Sequence, residues 1–188
     1  TQWSDLFKPE YKGAFGVADP ALSGTAYMSV ALLEKQFGWA FFDKLKANGA
    51  RIGKGSGQVV DDTASGELAA SLAVDYITND KIAKGAHIAL YYPPELIMAP
   101  SPVAIFKGSQ NLEAAKKFVD YLLSAEAQQM IANSGTVSVR ADIKSPAKFK
   151  LPDPADALKR SIKIDYIKMM ASKEATIKKF TETLQGKK

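Results

Sequence analysis

Three short stretches of this 188-residue chain place hydroxyls, glycines or a carboxylate where they could hold a small molecule. The first, Asp19-Pro20-Ala21-Leu22-Ser23-Gly24-Thr25, is a turn that runs directly into an apolar helix. Pro20 fixes φ and ends the preceding extended run, Ser23 is a good N-cap, and Gly24 lets a ligand approach the backbone closely. The first turn of that helix would present unpaired N–H groups and a partial positive charge beside the Ser23 and Thr25 hydroxyls, which suits an oxyanion. An ordinary capped helix start has the same residues, so the stretch alone leaves both readings open. The second is Gly53-Lys54-Gly55-Ser56-Gly57, whose spacing fails both the G-x-x-x-x-G-K-[ST] and the G-x-G-x-x-G templates. It reads either as a flexible loop or as a ligand contact through Ser56. The third is Asp75-Tyr76, at the carboxyl end of an apolar run, the edge where ligands collect in open α/β sheets.

The elements that must position these residues alternate in kind. Residues 14–18 predict a buried strand and the helix after Ser23 carries Tyr27, Val30, Ala31 and Leu33 to Phe37 at helical spacing. A second helix over 38–45 turns Trp39, Phe42 and Leu45 to one face and stops at Asn48-Gly49. A helix over 58–64, a strand buried on both faces over 68–74 and a short helix over 77–84 follow. Further strands are predicted at 86–92, ended by Pro93-Pro94, and at 101–106. Asn111 is positioned to cap an amphipathic helix with Ala114, Phe118 and Leu122 on one face, and Ser124 restarts a helix through Met130 and Ile131 to Gly135. Residues 137–140 read as extended, and helices over 155–168 and 172–184 close the chain. His87, the sole histidine, falls at the start of a predicted strand and reads as a surface or half-buried residue rather than a catalytic one.

Composition narrows the classes. There is no cysteine, which excludes disulfides, thiolate metal sites and cysteine nucleophiles. No run approaches the roughly 18 to 20 consecutive apolar residues of a membrane span, and no basic-then-apolar signal opens the chain. Thr1 is not an initiator methionine, so the sequence reads as a processed piece. The net charge of +5 is spread thinly, denser only at Lys178, Lys179, Lys187 and Lys188. No basic stripe interleaved with aromatics marks a nucleic-acid reader. No resident cofactor is called for.

Read in order, the pieces resemble the extracellular solute-binding proteins of ABC importers, in the branch that includes ferric-ion, 2-aminoethylphosphonate and hexose-phosphate binders. The similarity is carried by Trp3-Ser4-Asp5-Leu6 with Tyr11-Lys12-Gly13, Asp19 to Thr25, Leu45-Lys46-Ala47-Asn48, Ala64-Ser65-Gly66-Glu67 and Pro102-Val103-Ala104-Ile105. Most telling is Gln110 to Ser124, ending in Glu126 and Gln128. The resemblance implies an α/β, type II periplasmic-binding fold of which this chain supplies roughly the last two thirds. Residues 1–99 and 145–188 would form the second lobe, and 100–144 would cross over and pack on a first lobe that lies outside the chain. The apolar faces at Phe118, Leu122 and Met130 would then await that lobe or another copy of the chain.

By the same resemblance, Ser23, Gly24, Thr25, Ser56 and Gly57 contact the ligand and Asp75 or Tyr76 forms the opposite wall. The position where ferric binders resemble an adjacent tyrosine pair holds Tyr76 and Ile77 here, which puts iron in doubt and leaves Tyr91 and Tyr92 as the other tyrosine candidates. Asp75 beside the cradle suits an ammonium and hence a zwitterion. The function implied is capture of a small anionic or zwitterionic solute (a phosphonate, phosphate ester or carboxylate) for a membrane permease, in a periplasmic or extracellular setting. Ferric-iron binding is the alternative within the family. A phosphate-ester hydrolase using Ser23 or Ser56 competes from another class, although one histidine and no G-x-S-x-G elbow weigh against it. A sensory module reusing the fold is a third reading.

Overall fold

The computed structural model describes residues 2–186; Thr1 and the last two lysines of the basic tail, Lys187 and Lys188, lie outside the described residues. The chain divides into two compact units, Thr1–Ile97 with Ser161–Lys188, and Met98–Arg160.

The larger unit is built on β1 (Phe15–Ala18), β2 (Arg51–Gly53) and β3 (Ala70–Ser71), which form a parallel sheet in the order β2-β1-β3. In register, Val17 faces Ile52 and Gly16 faces both Arg51 and Ser71. All four residues of β1 are buried, as a central parallel strand covered on both faces requires. Helices α1 (Gly24–Phe37), α2 (Trp39–Ala47) and α3 (Ser56–Ala64) pack around β1, and α4 (Asp75–Ala83) packs on α3. The core joins Phe15, Val17, Val30, Leu33, Phe41, Phe42 and Leu45 to Phe180 and Leu184 near the end of the chain. Phe42 packs edge-to-face on Phe180 with ring centroids 5.5 Å apart. Two hydrogen bonds fix the returning segment: the Tyr27 hydroxyl donates to the Met169 carbonyl and the Lys46 ammonium to that of Leu184.

The smaller unit holds α5 (Leu112–Leu122), α6 (Ala125–Asn133) and α7 (Pro154–Arg160). Ser124 caps α6, its Oγ accepting from the Ala127 N–H at 3.2 Å. Buried Gln128 then ties the unit together. Its amide donates to the Leu122 carbonyl at 2.7 Å, and its Oε1 accepts from the Ser138 hydroxyl at 2.9 Å and the Val139 N–H at 3.1 Å. Helix α5 is amphipathic in sequence yet buries none of its residues; Phe118 is 59% exposed.

Five expectations change. The strand expected over 68–74 pairs only at Ala70–Ser71, because Leu68 turns away to bond its N–H to the Asp62 carbonyl. Residues 86–92 and 101–106 form no strand among the described residues, since strand composition gives a strand only inside a hydrogen-bonded ladder. Asn111 occupies the N-cap position of α5 without a side-chain cap bond. The helix expected over 155–168 breaks after Arg160. Ile162 is buried there and bonds its N–H to the Leu96 carbonyl at 2.9 Å, so the chain pairs across instead of coiling on. It resumes as α8 (Tyr166–Ala171), capped by Asp165, and α9 (Lys173–Gln185).

Truncating Phe42 to alanine is expected to cost about 3–5 kcal/mol, whereas Phe118→Ala costs no more than about 0.5 kcal/mol. Urea denaturation followed by tryptophan fluorescence measures the first, and circular dichroism of the same transition the second.

Candidate functional site

Each of the parallel strands feeds a helix at its carboxyl end: β1 leads through 19–23 to α1, β2 through 54–55 to α3, and β3 through 72–74 to α4. The starts of these helices therefore gather at one edge of the sheet. The candidate contact residues of the three motifs lie at such starts: Ser23, Gly24 and Thr25 at α1, Ser56 and Gly57 at α3, Asp75 and Tyr76 at α4.

Local chemistry explains the turns. The Asp19 carboxylate accepts from the Ala21 N–H at 2.8 Å, and its carbonyl accepts from Leu22 and Ser23, which folds the chain around buried Pro20 into the helix. Ser23 is an N-cap with extended backbone, its Oγ accepting from the Ala26 N–H at 3.2 Å. At β2's exit the Gln58 side chain accepts from the Lys54 N–H at 2.9 Å. The hydroxyls of Thr63 and Ser71 are hydrogen-bonded at 2.8 Å, and Lys81 pairs with Asp61, so α3 is tied to both the end of β3 and α4.

Between these starts lies a small cleft of about 10 Å³, the space of a single water, lined by Ala18, Thr25, Ala26, Ser29, Ser56 and the 72–74 turn. No cationic side chain lines it. The N–H groups of Gly24, Thr25, Ser56 and Gly57 carry no hydrogen bond within the described chain. An anion here would be met by backbone dipoles and the Thr25 and Ser56 hydroxyls, without a lysine or arginine.

Thr25 and Ser56 thus come together from different helices. The Ser23 oxygen is occupied by its cap bond, and Gly24 and Gly57 stand beside open space. Asp75 is half-buried. Burial pushes its carboxyl above the ordinary value, and hydrogen bonds from the Tyr76 N–H and its own backbone pull it partly back. Tyr76 is 52% exposed. Tyr91 and His87 are exposed, away from the cleft lining. Tyr92 is half-buried, and its phenol is held well above the ordinary range by burial, with a smaller push from the Asp75 charge. Sequence reasoning missed Ser29, which is buried in the cleft wall with its hydroxyl donating to the Thr25 carbonyl at 2.9 Å. The i, i+4 spacing of Thr25 and Ser29 on one helix face was the available signal.

The family model for "Bacterial extracellular solute-binding protein" matches residues 1–169. The phosphoglycerate transport regulatory protein PgtC of Salmonella typhimurium is 30% identical over 138 residues, covering 71% of this chain and 34% of that protein. A putative 2-aminoethylphosphonate-binding periplasmic protein of the same organism is 24% identical over 153 residues, covering 75% of this chain and 45% of that one. The chain thus spans about a third to under a half of the length of these relatives. Among solved structures, the periplasmic binding protein P5PA superposes with a TM-score of 0.69 at 27% identity, over 97% of this chain and 60% of its own.

Because the folded chain holds a proton on Asp75 more tightly than the unfolded chain does, this group removes stability as pH rises past about 3.9, the ordinary aspartate value. Asp75→Asn is therefore expected to raise the melting temperature at pH 7, with the gain shrinking toward pH 3. A melting series across that range, paired with the wild type, checks it.

Proposed function

The chain belongs to the bacterial extracellular solute-binding protein family, and from that premise we propose that it is part of the solute-capturing component of an ABC importer. In this reading it holds a small anionic or zwitterionic solute, a phosphonate, phosphate ester or carboxylate, and works with a membrane permease in the periplasm or outside the cell. The observation that carries the proposal is the convergence of helix starts beyond the carboxyl ends of the parallel strands, with Thr25 and Ser56 facing one cleft and free N–H groups beside them. The relatives point the same way: one is named for phosphoglycerate transport and another for 2-aminoethylphosphonate binding.

A cleft of one water's volume does not enclose such a solute, so the reading requires a second wall. We assign Thr1–Ile97 with Ser161–Lys188 to one lobe, and Met98–Arg160 to the part that packs on the other. The exposed Leu112, Phe118 and Tyr121 on α5 support this assignment, since apolar side chains left bare on an amphipathic helix suit a neighbour.

The alternatives gain less support. Hydrolysis through Ser23 asks for a free nucleophile beside a base, while the Ser23 oxygen is committed to capping α1 and His87 is exposed. Ferric binding asks for several phenolate oxygens, and none of Tyr76, Tyr91 and Tyr92 lines the cleft. For enclosure by one wall only, affinity in the millimolar range, about −4 kcal/mol, is expected.

In an NMR titration of the 188-residue chain with 2-aminoethylphosphonate and 3-phosphoglycerate, the amides of Gly24, Thr25, Ser56 and Gly57 are expected to shift and saturate, with glycerol leaving them in place. Combining Thr25→Val with Ser56→Ala should weaken both ligands several-fold, on the order of 1 kcal/mol for each lost hydrogen bond. Silent amides, together with a visible phenolate-to-iron absorption on adding ferric citrate, would replace the anion reading by the ferric one.

A further inference from the structure

One polar side chain in the cleft wall has no part in the anion contacts described so far. Ser29 lies one turn along α1 from Thr25 and lines the cleft beside it. We propose that Ser29 makes the cleft selective for phosphonates and phosphate esters in their singly charged form, the monoanion that keeps one P–O–H, by accepting a hydrogen bond from that group. This rests on the anion reading of the cleft and narrows it.

The hydroxyl proton of Ser29 is already committed. Its Oγ lies 2.9 Å from the carbonyl oxygen of Thr25, which can only accept, so the Ser29 hydroxyl donates there. What Ser29 retains is acceptor capacity. A hydroxyl oxygen carries two lone pairs, and no described group donates to this one. The residue is 6% exposed, so little bulk water reaches it. A buried acceptor without a donor costs free energy, and an arriving donor recovers it. The Thr25 and Ser56 hydroxyls differ. Neither is hydrogen-bonded within the described chain, so each can rotate to donate or to accept.

Size and charge then choose the group. The cleft holds about 10 Å³, the volume of a single water, so one oxygen of an anionic head enters it. The lining offers that oxygen donors together with the acceptor-only Ser29, and satisfying both requires an oxygen that accepts and donates. A P–O–H oxygen does both. The oxygens of a carboxylate, a sulfonate or a fully ionised phosphonate only accept, and an alcohol hydroxyl brings no charge to the helix dipoles. The neighbouring charges also disfavour a second negative charge on the ligand. No lysine or arginine lines the cleft, and Asp75 directly follows Val74 of its wall. Asp19 and Lys54, on the turns into α1 and α3, are outside the lining, as is the Lys81–Asp61 pair between α4 and α3.

The test compares 2-aminoethylphosphonate with 2-aminoethanesulfonate, which has the same stem and ammonium but an acid group that stays fully ionised. Both are titrated at pH 5 and pH 8 into the 188-residue chain with isotope-labelled alanine methyl groups, read at Ala26 and Ala73 in the cleft lining. A phosphoryl group loses its second proton at about pH 6, so the phosphonate is mostly monoanion at the lower pH and dianion at the higher. Its affinity is expected to fall at least about tenfold between the two, while the sulfonate stays weak and nearly constant. Any effect of Asp75 titration acts on both ligands and cancels in their ratio. In Ser29→Ala the pH ratio for the phosphonate is expected to shrink to within about threefold, with a melting temperature no lower than the wild type's. The wild-type comparison stands whether or not that variant folds. The proposal is overturned, and the anion reading kept, if the sulfonate matches the phosphonate at pH 5, if both ligands follow pH alike, or if folded Ser29→Ala keeps the full pH ratio. If neither ligand moves the two methyls at either pH, the anion reading falls and this proposal with it.

Discussion

The parallel pairing of β1 with β2 on one side and β3 on the other is the constraint from which the rest of the larger unit follows. Parallel strands cannot be joined by tight turns, so each must hand the chain to a crossover at the same edge of the sheet. That requirement alone brings the starts of α1, α3 and α4 together. Close packing then narrows the gap. A Cβ on Gly16 would stand 2.5 Å from Leu68 Cδ1, and one on Gly53 2.6 Å from Val59 Cγ1, so glycine at both positions lets α3 and the chain entering β3 press onto the strands. Unpaired N–H groups of separate helices thereby share one small cleft.

The electrostatic character of that cleft comes from backbone rather than side chains. Without a lining lysine or arginine, positive potential is supplied by fixed dipoles, which need no reorganisation when a ligand arrives. Asp75 is the counterweight. It stands at the start of α4, where the dipole favours its charge, yet burial outweighs the dipole and its hydrogen bonds and raises its pKa.

The far end of the chain is as much a part of this arrangement as the sheet. Phe180 and Leu184 on α9 complete the core around Phe42 and Leu45, and the Leu96–Ser161 bridge brings the chain back into the unit. The smaller unit holds together differently. Gln128, Ser138 and the Leu122 carbonyl form a buried polar network in which each side-chain group is matched, while Phe118 on α5 stays exposed and no α5 residue is fully buried. Its internal order therefore owes more to capping and hydrogen bonds than to a large core.

Much of the molecule was legible in the residues themselves. Pro20 with Ser23, the apolar spacing behind Tyr27, the Asn48-Gly49 stop and the Ser124 cap are local signals. They act within a turn or two, so the helices they delimit appear in the structure where they were expected. The order of motifs likewise pointed to the family. What the residues did not disclose were features that depend on a partner distant in sequence. Runs 86–92 and 101–106 have strand composition, but a ladder exists only if another strand lies alongside. Ile162 ends a helix because Leu96 is there to pair with it. Ser29 became a cleft residue only when α1 came to lie beside the start of α3 and the 72–74 turn. Local propensity decided the elements, and long-range packing decided which side chains face one another.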